Sequence, residues 1–527
     1  MSTLESAQNP PAAGLAGIDL GALTVDAVQA GFRSGAFTAE SLARACLAQI
    51  DTYNAHYNAI IFLNPLAIDD ARAIDARREA GEALGPLAGV PVVVKDPMDM
   101  VGFPTTAGWS LLHSKTGGVD LFPATDSPVV ARMRAAGAVI LGKTNVPVLS
   151  HTGTHADDSW AGPTLNVAID GRVPGGSSAG TAAAVAANMV VLGLAEETGG
   201  SIQNPASAQD LVGIKPTIGL VPNAGVMPLS GNRDVVGPIA RNVRDAALCL
   251  DVLAGYSAED PKTLAGVGKK PVGGYTSLLS TDALRGVRLG LYGPGWRDQP
   301  LSPEASELYA RAADELRSLG AVLVEDPFAG TDFASLRQPT APLPNFDARG
   351  MESVPYDLHR YLQRLGPDAA LKTFDEFARA TAAQGAFEPG GVLHFMHSLP
   401  QFVACLRDPS APPDLSDFIA LKARYLQIVD EVFARERLDG LVFPQMREEL
   451  PQVRTGTIQE TTVGELNIAG LPAVTMPAGY YRSGAPFGLL FLGRQWSEPQ
   501  LLAQAYAYEV GTRHRRSPSL KAQAARS

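Results

Sequence analysis

The sequence predicts an α/β fold, and three observations carry that expectation. Residues 89–95 (GVPVVVK) form a β-branched run of the kind that makes a buried strand. A helical segment near residues 127–136 follows, and a second apolar run at 138–141 completes a β-α-β pattern. At 527 residues and 46% hydrophobic content, the chain has the material for a large core. It contains no internal repeat and no long linker, so residues 1–527 are expected to form a single domain.

The elements can be justified in chain order. Residues 1–17 are Pro/Ala-rich and are expected to be a mobile leader. Val25, Val28 and Phe32 recur at helical spacing until Gly35 breaks the run. Thr38-x-x-Ser41 with Glu40 starts a second helix carrying Leu42, Cys46 and Ile50. A third, charged helix at 69–82 completes the N-terminal helices of residues 18–85. After the strand at 89–95, residues 96–109 form a Gly/Pro/Thr loop with two large aromatics, Phe103 and Trp109. Residues 213–216 and 219–228 read as turns around short strands, and 243–254 as an amphipathic helix. Strands at 286–292 and 321–325 flank a helix at 302–319. The region of about 295–436 reads as a variable, partly helical insertion. Within it Phe346, Tyr356, Tyr361, Phe374, Phe377, Phe387, Phe395 and Phe402 could wall an apolar pocket or fill a core. A helix at 416–436, strands at 440–443, 472–476 and 487–492, and a helix at 499–509 close the chain.

Bulk properties exclude several function classes. A net charge of -11 argues against a nucleic-acid surface, and the basic cluster Arg513, His514, Arg515 and Arg516 is expected to end a helix. Cys46, Cys249 and Cys405 are far apart and odd in number, which fits no disulfide framework and suits a reducing cytoplasm. The N-terminus lacks the pattern of a signal peptide. The most apolar stretch, 182–195, is interrupted by Asn188 and is shorter than the roughly 20 residues of a membrane span. His151-x-x-x-His155 with Asp157 and Asp158, and His394-x-x-His397, carry metal-ligand residue types. Gly153 and two threonines disfavour a helix at the first pair, so both pairs are read as structural or surface residues. No metal and no organic cofactor is expected.

The chemistry is concentrated in residues 175–205, GGSSAGTAAAVAANMVVLGLAEETGGSIQNP. Two serine-bearing glycine turns, 175–180 and 198–201, bracket a small-residue helix and a short apolar run. Such turns bring backbone N–H groups close to a ligand, and a serine among them sits beside donors able to stabilise an oxyanion. A phosphate loop is one reading of Gly175-x-x-x-x-Gly180-Thr181, but the lysine after the second glycine is absent. A nucleophile elbow is another, since Gly176-Ser177-Ser178-Ala179-Gly180 matches G-x-S-x-G and nominates Ser178 of an esterase. That elbow must leave a strand directly, whereas Asp170, Gly171 and Pro174 interrupt the preceding residues.

A third reading uses two serines and a lysine. The stretch resembles the amidase signature pattern, roughly GGSSGGS, a helix, then GTDTGGSIR-x-PA. Here it stands as residues 175–181 and 195–206. Residues 89–96, VGIKPT at 212–217, and 471–479 with 487–494 also look like blocks of that family. The resemblance covers roughly Ile18 to Arg515, weakly between about 295 and 436. It implies an amidase signature fold, a large mixed β-sheet covered by helices on both faces. It further implies Ser201 as nucleophile, Ser177 as a relay through a non-proline cis peptide, and Lys95 as base. The amides of Thr198, Gly199, Gly200 and Ser201 would form the oxyanion hole, with Ser178 in support.

The implied base has a physical requirement. Lys95 must be neutral to accept a proton, and lowering a lysine from about 10.4 to about 7–8 is worth on the order of 4 kcal/mol. Burial behind Pro91-Val92-Val93-Val94 is the expected cause, with Asp96 opposing it only if the two side chains meet. The chain departs from the pattern at Glu196-Glu197, which replace Thr-Asp, at Gln203, which replaces arginine, and at Ala179. Neutral hydrogen bonds are therefore expected to rebuild the nucleophile's support. Phe103, Trp109 and Trp160 suggest a pocket for hydrophobic or aryl amides, including anilides, carbamates or related esters. The expected partners are a small-molecule amide and water, with a homodimer allowed. A glutamine-hydrolysing component of an amidotransferase is the alternative.

Overall fold

The computed structural model describes residues 18–337, 351–382, 385–394, 397 and 400–522. The expected leader, Phe346 and Phe395 lie outside the described residues. Eleven strands form one sheet among the described residues: β1 (Ile60–Leu63), β2 (Pro91–Lys95), β3 (Val139–Thr144), β4 (Leu192–Glu197), β5 (Val212–Lys215), β6 (Val235–Ala240), β7 (Arg288–Leu291), β8 (Val322–Val324), β9 (Gly440–Pro444), β10 (Ala473–Tyr480) and β11 (Pro486–Leu492). Their order is β1-β3-β2-β4-β6-β5-β10-β11-β9-β7-β8.

The sheet is mixed. β2 runs parallel to β3 and β4, and β7 parallel to β8 and β9, while the remaining pairs are antiparallel. Every residue of β2, β3, β4, β5, β6, β9 and β11 is buried, so both faces of these strands are covered. The β-α-β unit expected from the sequence is β2, the helix Pro128–Ala135 capped by Ser127, and β3.

Local rules account for most element ends. Thr24 and Thr38 cap the helices Val25–Ser34 and Ala39–Tyr57, and Ser41 completes a reciprocal capping box with Thr38. The third helix is Ala67–Glu79. Residues 213–216 fall mostly in β5 rather than in a turn. A Cβ on Gly213 would lie 2.8 Å from Ala206 Cβ, so this glycine permits close packing of the neighbouring helix Gln203–Ala208 against the strand. The basic cluster follows the helix Glu498–Thr512. Arg515 donates to Asp210 O at 3.0 Å, and the Arg516 guanidinium lies 4.1 Å from the Tyr480 ring centre. Among the described residues no helix is long and apolar enough to cross a membrane.

Candidate active site

Lys95 ends β2 at the centre of the parallel part of the sheet, and its side chain is fully buried. Its Nζ lies 2.7 Å from Ser177 Oγ, 3.1 Å from Glu196 O and 2.6 Å from Glu196 Oε2. Asp96 turns elsewhere: its carboxylate accepts from Thr106 N and Oγ1 and pairs with Lys143 Nζ at 3.3 Å. Burial pushes the Lys95 amine below the ordinary lysine range, while the Glu196 carboxylate acts in the opposite direction.

The first glycine turn meets Lys95 through Ser177, and the end of β4 meets it through Glu196. The Gly176–Ser177 peptide is cis, as the resemblance implies. Ser178 precedes the helix Ala179–Ala186, is fully buried, and donates its hydroxyl to Glu196 O at 3.2 Å. Its N–H donates to Ser201 O at 3.3 Å, which ties the two turns together. Gly175, at φ +77°, lies so close to the second turn's helix that a Cβ would be 2.6 Å from Pro205 Cα.

The second turn follows β4 directly. Gly200 has φ +89°, and a Cβ on it would lie 2.6 Å from Asn204 Nδ2. The N–H groups of Gly199, Gly200 and Ser201 donate to no acceptor among the described residues. Successive residues on β4 point oppositely, and the two glutamates do so here. Glu196 faces Lys95. Glu197 faces away and accepts from Ile202 N at 2.8 Å, Gln203 N at 3.2 Å, Gln203 Nε2 at 2.5 Å and Asn467 Nδ2 at 3.0 Å. The Glu197 and Gln203 departures are thus accommodated by amide donors around one carboxylate.

Thr198 links the turn to the segment before β6, since its Oγ1 donates to Asp234 Oδ1 at 2.5 Å. Asp234 Oδ2 accepts from Leu229 N and Ser230 N. Burial, with Glu196 adding to it, pushes the Asp234 carboxyl up to about 7 against the pull of the Thr198 hydrogen bond.

Ser177 and Ser201 open onto one cavity of about 490 Å³, lined also by Gly176, Thr198 and Gly199. Ser178 does not line it. Its apolar wall includes Leu229, Leu336, Met351, Tyr425, Ile458, Val463 and Ile468. Arg233 and Arg297 also reach the wall, and both face carboxylates. Arg297 makes a two-pronged pair with Glu465 at 3.0 and 2.5 Å, and Arg233 lies 3.5 Å from Glu352.

Phe103, Trp109 and Trp160 do not line this cavity. Phe103 is in the main core, Trp109 packs near Phe377 in a cluster containing Leu229 and Met351, and Trp160 donates to Thr106 Oγ1 at 2.8 Å. Trp109 therefore stands behind the wall rather than in it. The cavity's walls come from segments far apart in the chain, and no local motif marked them. His151 lines the cavity and its Nε2 lies 3.2 Å from Val392 O, whereas His155 accepts from Arg454 N.

The Amidase family model matches residues 41–380. Over 467 residues the chain is 35% identical to a glutamyl-tRNA(Gln) amidotransferase subunit of Moorella thermoacetica, covering 86% of this chain and 89% of that one. The native peptide amidase of Stenotrophomonas maltophilia superposes with a TM-score of 0.76 at 32% identity, over 95% of this chain and 99% of that chain. A bacterial aryl acylamidase shares the fold, with a TM-score of 0.71 at 24% identity over 93% and 96% of the two chains. With matches of this extent, the chain belongs to the amidase signature family and is an amide-hydrolysing enzyme.

Proposed function

We propose that this protein cleaves carboxylic amide C–N bonds through an acyl-enzyme on Ser201. The observation that carries the reading is the 2.7 Å hydrogen bond from buried Lys95 to Ser177, with Ser177 and Ser201 on one cavity. Ser201 Oγ attacks the carbonyl carbon, its proton passing to Ser177 as Ser177 gives its own to neutral Lys95. The turn amides of residues 198–201 hold the oxyanion. Lys95 then returns the proton through Ser177 to the leaving nitrogen, and the C–N bond breaks. Water, deprotonated by the same relay, attacks the acyl carbon and releases the acid, restoring Ser201. Ser178 holds the strand end and the two turns together.

The substrate is a neutral, hydrophobic or aryl amide, and anilides, carbamates and related esters fall in the same class. Support comes from the apolar wall, beside which Arg233 and Arg297 face carboxylates and Glu460 accepts from Asn204 Nδ2. Similarity to amidotransferase subunits favours a second reading, a glutamine hydrolase that works with other chains. Assays of the purified chain on 4-nitroacetanilide, acetamide and L-glutamine, beside Ser201→Ala, separate the two. Turnover of the anilide with none of glutamine is expected. Glutamine hydrolysis without anilide turnover would favour the amidotransferase reading.

A further inference from the structure

We infer that Glu196 is a positioning residue for Lys95: its carboxylate holds the proton on the lysine and so sets the pH at which the base becomes available. The inference rests on the reading of Lys95 as the base. The pair is 2.6 Å apart, with side chains 0% and 2% exposed. Three acceptors surround Nζ, namely Ser177 Oγ, Glu196 O and Glu196 Oε2. They match the three N–H bonds of an ammonium group, whereas a neutral amine has only two to give. Taking a proton from Ser177 requires a lone pair to face Ser177, so the arrangement around Nζ must lose a donor before the base can act.

The charges around Glu196 point the same way. Its Oε1 lies 3.4 Å from Thr198 Oγ1, which leads to Asp234, and the field of Asp357 also reaches Asp234. Glu197 is the adjacent anion, facing the other side of β4. No cation other than Lys95 lies within ion-pair distance of Glu196 among the described residues. Deprotonating Lys95 therefore leaves a buried carboxylate without its counter-ion, which opposes the step. Burial lowers the lysine, and Glu196 offsets part of that lowering.

The test is the pH profile of kcat/KM on an active arylamide for wild type, Glu196→Gln and Glu196→Thr, with Lys95→Ala alongside. Gln keeps an acceptor for Nζ and removes the charge, while Thr is the residue of the signature pattern. Removing an adjacent opposite charge lowers a lysine by about 1–3 units, so the rising limb should move by the same amount to the acid side. An unmoved limb in either active variant overturns the inference, and inactivity of Lys95→Ala in the same experiment leaves the base assignment standing. Wild-type activity in Lys95→Ala would instead remove the base assignment itself. If neither Glu196 variant folds, the ¹³Cε signal of Lys95 in lysine-labelled wild type decides. An ammonium at about pH 6 is expected, and a neutral amine at that pH overturns the inference.

Discussion

Lys95 and Ser177 are 82 positions apart in the chain and 2.7 Å apart in space. One ends a strand and the other sits in a glycine turn, so their meeting depends on β4 lying beside β2 and on the helix Ala179–Ala186 packing over them. Substituting Lys95 by Ala should lower kcat by about 10²–10⁴-fold, the usual range for a general base, and should also lower the melting temperature, because Glu196 is left buried without its counter-ion. Ser177→Ala should fall in the same range. A loss below tenfold for either would place the base elsewhere.

Glu197 organises the start of the helix Gln203–Ala208, just after Ser201. Four donors converge on its carboxylate, all from buried residues. Glu197→Ala leaves them unpaired and should cost at least about 1–3 kcal/mol in urea denaturation, with Glu197→Gln milder because one acceptor oxygen remains. Equal stability of both variants and wild type would show that water replaces the carboxylate at no cost.

The glycine turns give a local prediction. Gly200→Ala places a Cβ on Asn204 at a φ of +89°, where alanine is strained. Displacing the turn would misaim the proposed oxyanion donors, so kcat should fall by about 10²-fold or more while far-UV circular dichroism stays unchanged. Activity within threefold of wild type would mean that the turn tolerates the shift.

Asp234 supplies a pH signature in stability. Its folded-state carboxyl is pushed from the ordinary 3.8 up to about 7, so the folded protein binds the extra proton across that interval. Stability contributed by this group is full below about 4 and is lost as pH rises towards about 7. Asp234→Asn should flatten that decline in a series of urea melts from pH 4 to 7. An unchanged slope would assign the decline to other carboxyls.

The sequence conveyed this site unevenly, for physical reasons. β2, its following helix and β3 were legible because β-branched runs and a capped helix are local signals. β6 has no counterpart in the sequence reading, and it carries Gly237 and Pro238, residues that ordinarily disfavour a strand interior. In the sheet a Cβ on Gly237 would lie 1.9 Å from Ile214 O, so the glycine marks a close strand neighbour. The serines and Lys95 were legible through ordered motifs. The partner of Asp96 was not, since its ion pair is with Lys143 on the neighbouring strand. Nor was the contact of Glu196 with Lys95, which depends on which face of β4 each glutamate takes. None of the three aromatics near the motifs lines the cavity, and its walls are assembled from residues as distant as Leu229, Met351 and Val463.

Covalent trapping tests the central claim most directly. The purified enzyme is inactivated with a fluorophosphonate, digested, and mapped by mass spectrometry. A single adduct on Ser201, absent in Ser201→Ala and slowed in Lys95→Ala, is the predicted result. An adduct on Ser178, or inactivation with Ser201 unmodified, would contradict the account.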